Sequence, residues 1–148
     1  MRKCWAAALA LLGGSGALLC SAASSAQALD AQLDCTTSAH AFIASLRQAH
    51  AIDAQPMRVE ANSVNAFRPA RGSHLSAFGY RVYAVLGYAP DDDLFRQGSG
   101  AAMSGSLYGV VVFGPSEDVG AHLRDAGSGA LVHEVMPLLM TAVLCKTR

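Results

Sequence analysis

Two cysteines, Cys35 and Cys145, set the tightest limit on what this chain can fold into, because joining them ties one end of the patterned sequence to the other. They lack the close spacing of a redox or metal pair, so a structural disulfide is the expected use. In the chain-entropy account, a bridge closing so long a loop stabilises a domain by about 4 to 5 kcal/mol. A fold that accommodates it must bring its first and last elements side by side. The bridge requires an oxidising compartment, and the start of the chain gives the reason to expect one.

Residues 1–28 carry the three parts of a secretory signal. Arg2 and Lys3 precede an apolar run from Trp5 to Leu19 that is broken by Gly13, Gly14 and Gly16, and a small-residue stretch ends in Ala26-Gln27-Ala28. Cleavage is expected after Ala28, leaving 29–148 as a single small domain in the periplasm or outside the cell. The apolar run falls short of the roughly 20 residues that span a bilayer, so the mature chain is expected to hold no integral membrane segment. Lipidation at Cys20 is the alternative, opposed by the bulky Leu19 immediately before it.

Without Arg2 and Lys3 the chain keeps nine basic residues against eleven acidic ones. The basic residues are scattered along the sequence and form no stripe. Nucleic acid and anionic membrane surfaces are thereby excluded as main partners, since both demand clustered Lys and Arg.

The local patterns predict an α+β domain. Ala39, Phe42, Ile43, Leu46 and Ala49 recur at helical spacing, predicting a helix over 36–51 with Asp34 or Thr36 as its cap. Alternation over 57–61 and a run over 64–67 predict two short strands, closed by Pro69 and Gly72. One long strand is predicted over 74–89, with Phe78, Tyr80, Val82, Ala84, Leu86 and Tyr88 on one face. After the acidic turn Asp91-Asp92-Asp93 and a Gly/Ser loop, 101–113 reads as a central strand carrying Val110-Val111-Val112. Ser116 is expected to cap a second helix, with Glu117 and Asp118 at its positive end and Gly127 past its finish. The stretch 130–144 reads as a single long strand, bent or bulged at Pro137 and placed toward an edge there. The order is α-β-β-β-β-α-β: two helices beside a mostly antiparallel sheet of about five strands in two layers.

Chemistry-bearing motifs are scarce. No nucleotide, zinc-protease or hydrolase pattern occurs, and no cofactor or metal is expected. Asp91-Asp92-Asp93 has hard oxygen ligands suited to Ca²⁺, but it lacks the later glutamate of an EF-hand and reads as a solvated turn. The five histidines, His40, His50, His74, His122 and His133, show no ligand spacing. His133 and Glu134 are strand neighbours and point to opposite faces.

Ser104-Gly105-Ser106-Leu107-Tyr108 fits the pattern SGxxY, and in this the chain resembles the bacterial periplasmic lysozyme inhibitors. The resemblance implies a loop or strand end inserted into a lysozyme cleft. Ser104 and Tyr108 would offer hydroxyls to the catalytic carboxylates, and Gly105 would permit close backbone approach. It covers five residues, and those inhibitors are mainly β, whereas two helices are expected here.

Three functional readings of different class follow. The leading one is a non-enzymatic exported domain that binds another exported protein, such as a lysozyme or another exported enzyme. The second is a carrier of a small apolar ligand, with Phe78, Tyr80, Tyr83 and Tyr88 around a pocket and the first helix as its lid. The third is an enzyme built on His74 or His133, for which no nucleophile, base and orienting group can be named together.

Overall fold

The structure is a computed structural model that describes residues 26–147. Residues 1–25, with most of the expected export signal and with Cys20, lie outside the described residues. In chain order the elements are β1 (Ala26–Ala28), a 3-10 turn (Asp30–Asp34), α1 (Ala39–Gln48), β2 (Arg58–Val59), β3 (Asn65–Phe67), β4 (His74–Ala77), β5 (Tyr80–Tyr88), β6 (Ser106–Phe113), α2 (Ser116–Asp125), β7 (Leu131–Met136) and β8 (Met140–Thr147).

The domain is α+β, with both helices against one face of a sheet ordered β1-β4-β5-β6-β8-β7; β3 adds to β5 and β2 to β3. All pairings are antiparallel except β1 with β4. Cys35 and Cys145 are bonded, pinning the segment before α1 to the last strand. The expected staple and the two-layer class are therefore present. Among the described residues the sheet has eight strands rather than about five, and two hairpins account for most of the excess.

The first hairpin divides the predicted strand 74–89. Ala77 pairs with Tyr80, and the two residues between, Phe78 at φ 52° and Gly79 at φ 85°, both take the left-handed region. That is the two-residue turn whose twist matches paired strands. Phe78 tolerates it because its ring is buried and its N–H donates to Asp30 Oδ1 at 2.9 Å. A register shift between Val82 and Ala84 then undoes the single-face alternation. Tyr83 is the extra residue, so Val82 and Val85 both reach the helical layer while Ala84 turns away.

The second hairpin divides 130–144. Pro137 does not bend one strand; it opens a turn in which the Leu139 N–H donates to the Met136 carbonyl at 3.1 Å. The helix α1 starts later than expected, whereas α2 starts one residue earlier. Ser38, rather than Asp34 or Thr36, caps α1, its Oγ accepting from the Ala41 N–H at 3.0 Å. Ser116 lies inside α2 and bonds Glu134 instead of capping, while Glu117 and Asp118 occupy the first turn as expected.

The core lies between helices and sheet. Phe42, Ile43 and Leu46 of α1 and Val119 and Leu123 of α2 pack on Val85, Tyr108, Val110, Val112 and Val143. The helix α1 rests directly on the sheet: a Cβ on Gly87 would stand 2.6 Å from Ile43, so the absent side chain is what lets α1 approach. The long loop after β5 is fixed by buried Asn65, which donates to the Arg96 carbonyl and accepts from its N–H, both at 2.9 Å. That loop carries Met103 to the sheet face opposite the helices, where it walls the site described next.

Candidate functional site

The sheet face turned away from the helices is where apolar surface remains uncovered. Along β6 and β8 the residues pointing there are Leu107, Val111 and Phe113, and Met140, Ala142 and Leu144, matched by the register Val111 to Ala142 and Phe113 to Met140. Ala84, Val111 and Ala142 form a small buried cluster with Leu86, Met140 and Leu144 packed around it. Among the described residues no helix lies over this face, and Val111 and Ala142 are buried by their own neighbours on it. Above them runs a trough of about 710 Å³, with Leu131 and Val135 of β7 on one side and Val64 and Met103 on the other.

The hairpin of β7 and β8 extends this surface. Leu131, Val132, Val135, Met136, Leu138 and Leu139 are all exposed, Leu138 at 79%. Val135 lies at a register shift between Glu134 and Met136, a bulge that interrupts the alternation of β7. At the tip, Pro137 stands at the first central position of the turn and Leu138, at φ 64°, at the second. That second position needs a positive φ and favours glycine. A leucine there costs about 1–2 kcal/mol of backbone strain and gains no burial in return. Strain of this kind at an exposed apolar residue points to a use outside the fold. The outer edge of β7 is the end of the sheet, which leaves main-chain groups available to a further strand.

The residues singled out in the sequence are placed elsewhere. Tyr108 is 1% exposed, its ring 4.9 Å from that of Phe42 and its strand position opposite Cys145. Its hydroxyl reaches toward the backbone around Cys35 and Thr37 without a hydrogen bond of normal geometry. Burial holds this phenol above its ordinary range. Ser104 sits in an exposed bend with Gly105 at φ 74°. The two hydroxyls therefore do not stand together on one protruding loop.

The aromatic residues expected around one pocket are likewise separated. Tyr88 packs on Phe95 in the core, Tyr80 bonds His122 at 3.1 Å, and Tyr83 stands against Phe113 on the open face. The helix α1 does not stand off as a lid at Gly87, where Ile43 packs directly on the strand. The histidines stay dispersed. His40 Nδ1 lies 2.8 Å from Asp92, which accounts for part of the acidic turn, and His133 faces the trough. Among the described residues no three His, Cys, Asp or Glu side chains converge as a metal site would require.

The sequence places 130–144 toward an edge at Pro137, and β7 is the last strand of the sheet; what its apolarity hides is that its side chains go uncovered. The one available signal was Pro137-Leu138-Leu139, an apolar turn where polar or glycine residues are usual. Comparison with known proteins adds no assignment: no family model, no curated protein and no solved structure matches the chain.

Proposed function

We propose that this chain is an exported, non-enzymatic binding domain that contacts another exported protein through the β7–β8 hairpin and the trough beside it. The observation that carries the reading is the set of six exposed large apolar residues on that hairpin, with Leu138 held in a strained turn at its tip. Exposed apolar surface of this extent marks interaction sites. The compartment is supported by the Cys35–Cys145 bond, and among the described residues no helix is long and apolar enough to cross a membrane. The contact surface of such a domain is the hairpin rather than Ser104 and Tyr108, of which Tyr108 is buried.

A small apolar ligand is the second reading, favoured by the size of the trough. A ligand held there would leave Leu138 and Leu139 in water, so protein contact ranks first. The test compares the wild-type chain with a Val135→Asp, Leu139→Asp variant, each expressed in its own cell envelope, extracted without denaturation and sized. Wild type is expected in a complex larger than the 15.3 kDa chain, and the variant alone with its melting temperature unchanged. Identical elution of the two, or native mass spectra showing a bound small apolar molecule and no protein, would contradict the reading.

A further inference from the structure

The fold gathers cations that the sequence scatters. Arg68, Arg71, His74 and Arg81 border a groove of about 510 Å³ whose far wall is Tyr83 and Phe113. Three of the nine Lys and Arg residues beyond residue 28 thus meet at one place, in a segment where acids outnumber them. Among the described residues no carboxylate lines the groove. The two ion pairs among the described residues, His40–Asp92 and Arg58–Glu60, involve other side chains.

The groove is also ordered. Arg81 holds its guanidinium carbon 5.9 Å from the centroid of the Phe113 ring, and that ring meets Tyr83 edge-on at 5.5 Å. Stacking on a ring restrains the planar fork and leaves its N–H donors for a ligand. A guanidinium presented this way pairs with a carboxylate through two parallel hydrogen bonds.

What the groove adjoins sets the size of the ligand. Phe113 of the groove and Val111 of the trough lie two apart on β6 and share the open face with Met140, Ala142 and Leu144 of β8, so the cationic groove and the apolar trough are neighbours on one face. At the other end of the same face Lys146 lines the trough. The one carboxylate there, Glu60, is held by Arg58 at 2.7 Å. A second copy of this chain stacked face to face in reverse would set Arg81 against Lys146, cation against cation. The complementary occupant is acidic.

We propose that this groove receives a carboxylate-bearing segment of the protein partner, whose apolar neighbours continue over Tyr83 and Phe113 onto the trough. The inference rests on the protein-contact reading above and names the chemistry of the partner.

The probe is a fluorescein-labelled hexaglutamate peptide followed by anisotropy. Saturable binding is expected, weakened at least about tenfold by Arg71→Glu with Arg81→Glu, since losing one charge-assisted contact is worth roughly that factor. Raising salt from about 20 to about 300 mM weakens it too, as screening demands. Arg124→Glu on α2 serves as the control and leaves binding intact. All these arginines are exposed, and thermal melts check that each variant folds. No saturable binding, an equal loss in the Arg124 variant, or binding to phosphatidylglycerol vesicles with none to the peptide overturns the proposal. Sizing the groove variant from the cell envelope separates the two claims. If wild type and the groove variant both elute in the larger complex, the acidic-segment inference fails while protein contact stands. If wild type itself elutes alone, protein contact fails.

Discussion

The strands β6 and β7 flank β8 on its two sides, and both are apolar: Ser-Leu-Tyr-Gly-Val-Val-Val-Phe against Leu-Val-His-Glu-Val-Met. Residues 107–112 of β6 are all buried, whereas every residue of β7 is exposed. The difference is position. β6 lies between β5 and β8, beneath α1 on one face and beside the trough on the other, while β7 ends the sheet. Apolarity of a strand therefore states that it needs a cover, and the fold decides whether the same chain provides it.

The sharpest way to break this comparison is to place one charge in each strand. Val110→Asp buries an unpaired carboxylate at a fully buried position and is expected to cost several kcal/mol, enough to unfold the domain. Val135→Asp is expected to change stability by no more than about 0.5 kcal/mol. Urea unfolding followed by circular dichroism reads both. Equal destabilisation by the two would mean that β7 is covered within the chain itself.

Next in size is the bridge that holds β8, the partner of both strands. Replacing Cys35 and Cys145 together by serine is expected to cost about 2–5 kcal/mol, measured by the same titration. A loss well below that range would show that β6 and β8 hold their register without it.

A smaller effect of opposite sign is expected at the hairpin tip. Leu138→Gly relieves the left-handed strain and, after the entropy that glycine adds to the unfolded chain, stabilises by up to about 1 kcal/mol. The same change is expected to weaken partner binding. A variant both less stable and fully competent in binding would show that Leu138 serves the fold.

The smallest effect belongs to Tyr108 of β6. Its raised pKa means that the folded state keeps a proton the unfolded chain releases, so stability falls as pH rises through the ordinary phenol value of 10.0. Tyr108→Phe removes that share of the alkaline loss and, because no partner is left unpaired, alters stability near neutrality by less than about 1 kcal/mol. Melting temperatures between about pH 8 and about pH 11 reveal it as a flatter alkaline limb.

The same comparison explains how far the sequence could be read. Both helices, the valine-rich strand and the Cys35–Cys145 bond were legible because each rests on local period or simple pairing arithmetic. Turns that depend on Phe78 or Leu138 accepting a positive φ carry only Gly79 and Pro137 as local signals, too little against the apolar run on either side, so two hairpins read as two strands. A one-residue bulge at Tyr83 likewise reverses which side chains face the core without altering the apparent alternation. The site was least legible of all. Exposure of β7 follows from strand order, and the arginine groove unites β4, β5 and the loop before them. Ser104 and Tyr108 shared a motif in sequence, yet one lies in an exposed bend and the other in the core.

The central claim is that the uncovered apolar hairpin is covered by another protein in the compartment where the chain works. The most direct measurement places a photo-crosslinking residue at position 138 and, as control, at 125 on the exposed face of α2, in cells making the full chain. A discrete protein adduct from position 138 and none from 125 is the expected result. No adduct from 138, or the same adduct from both positions, would contradict it.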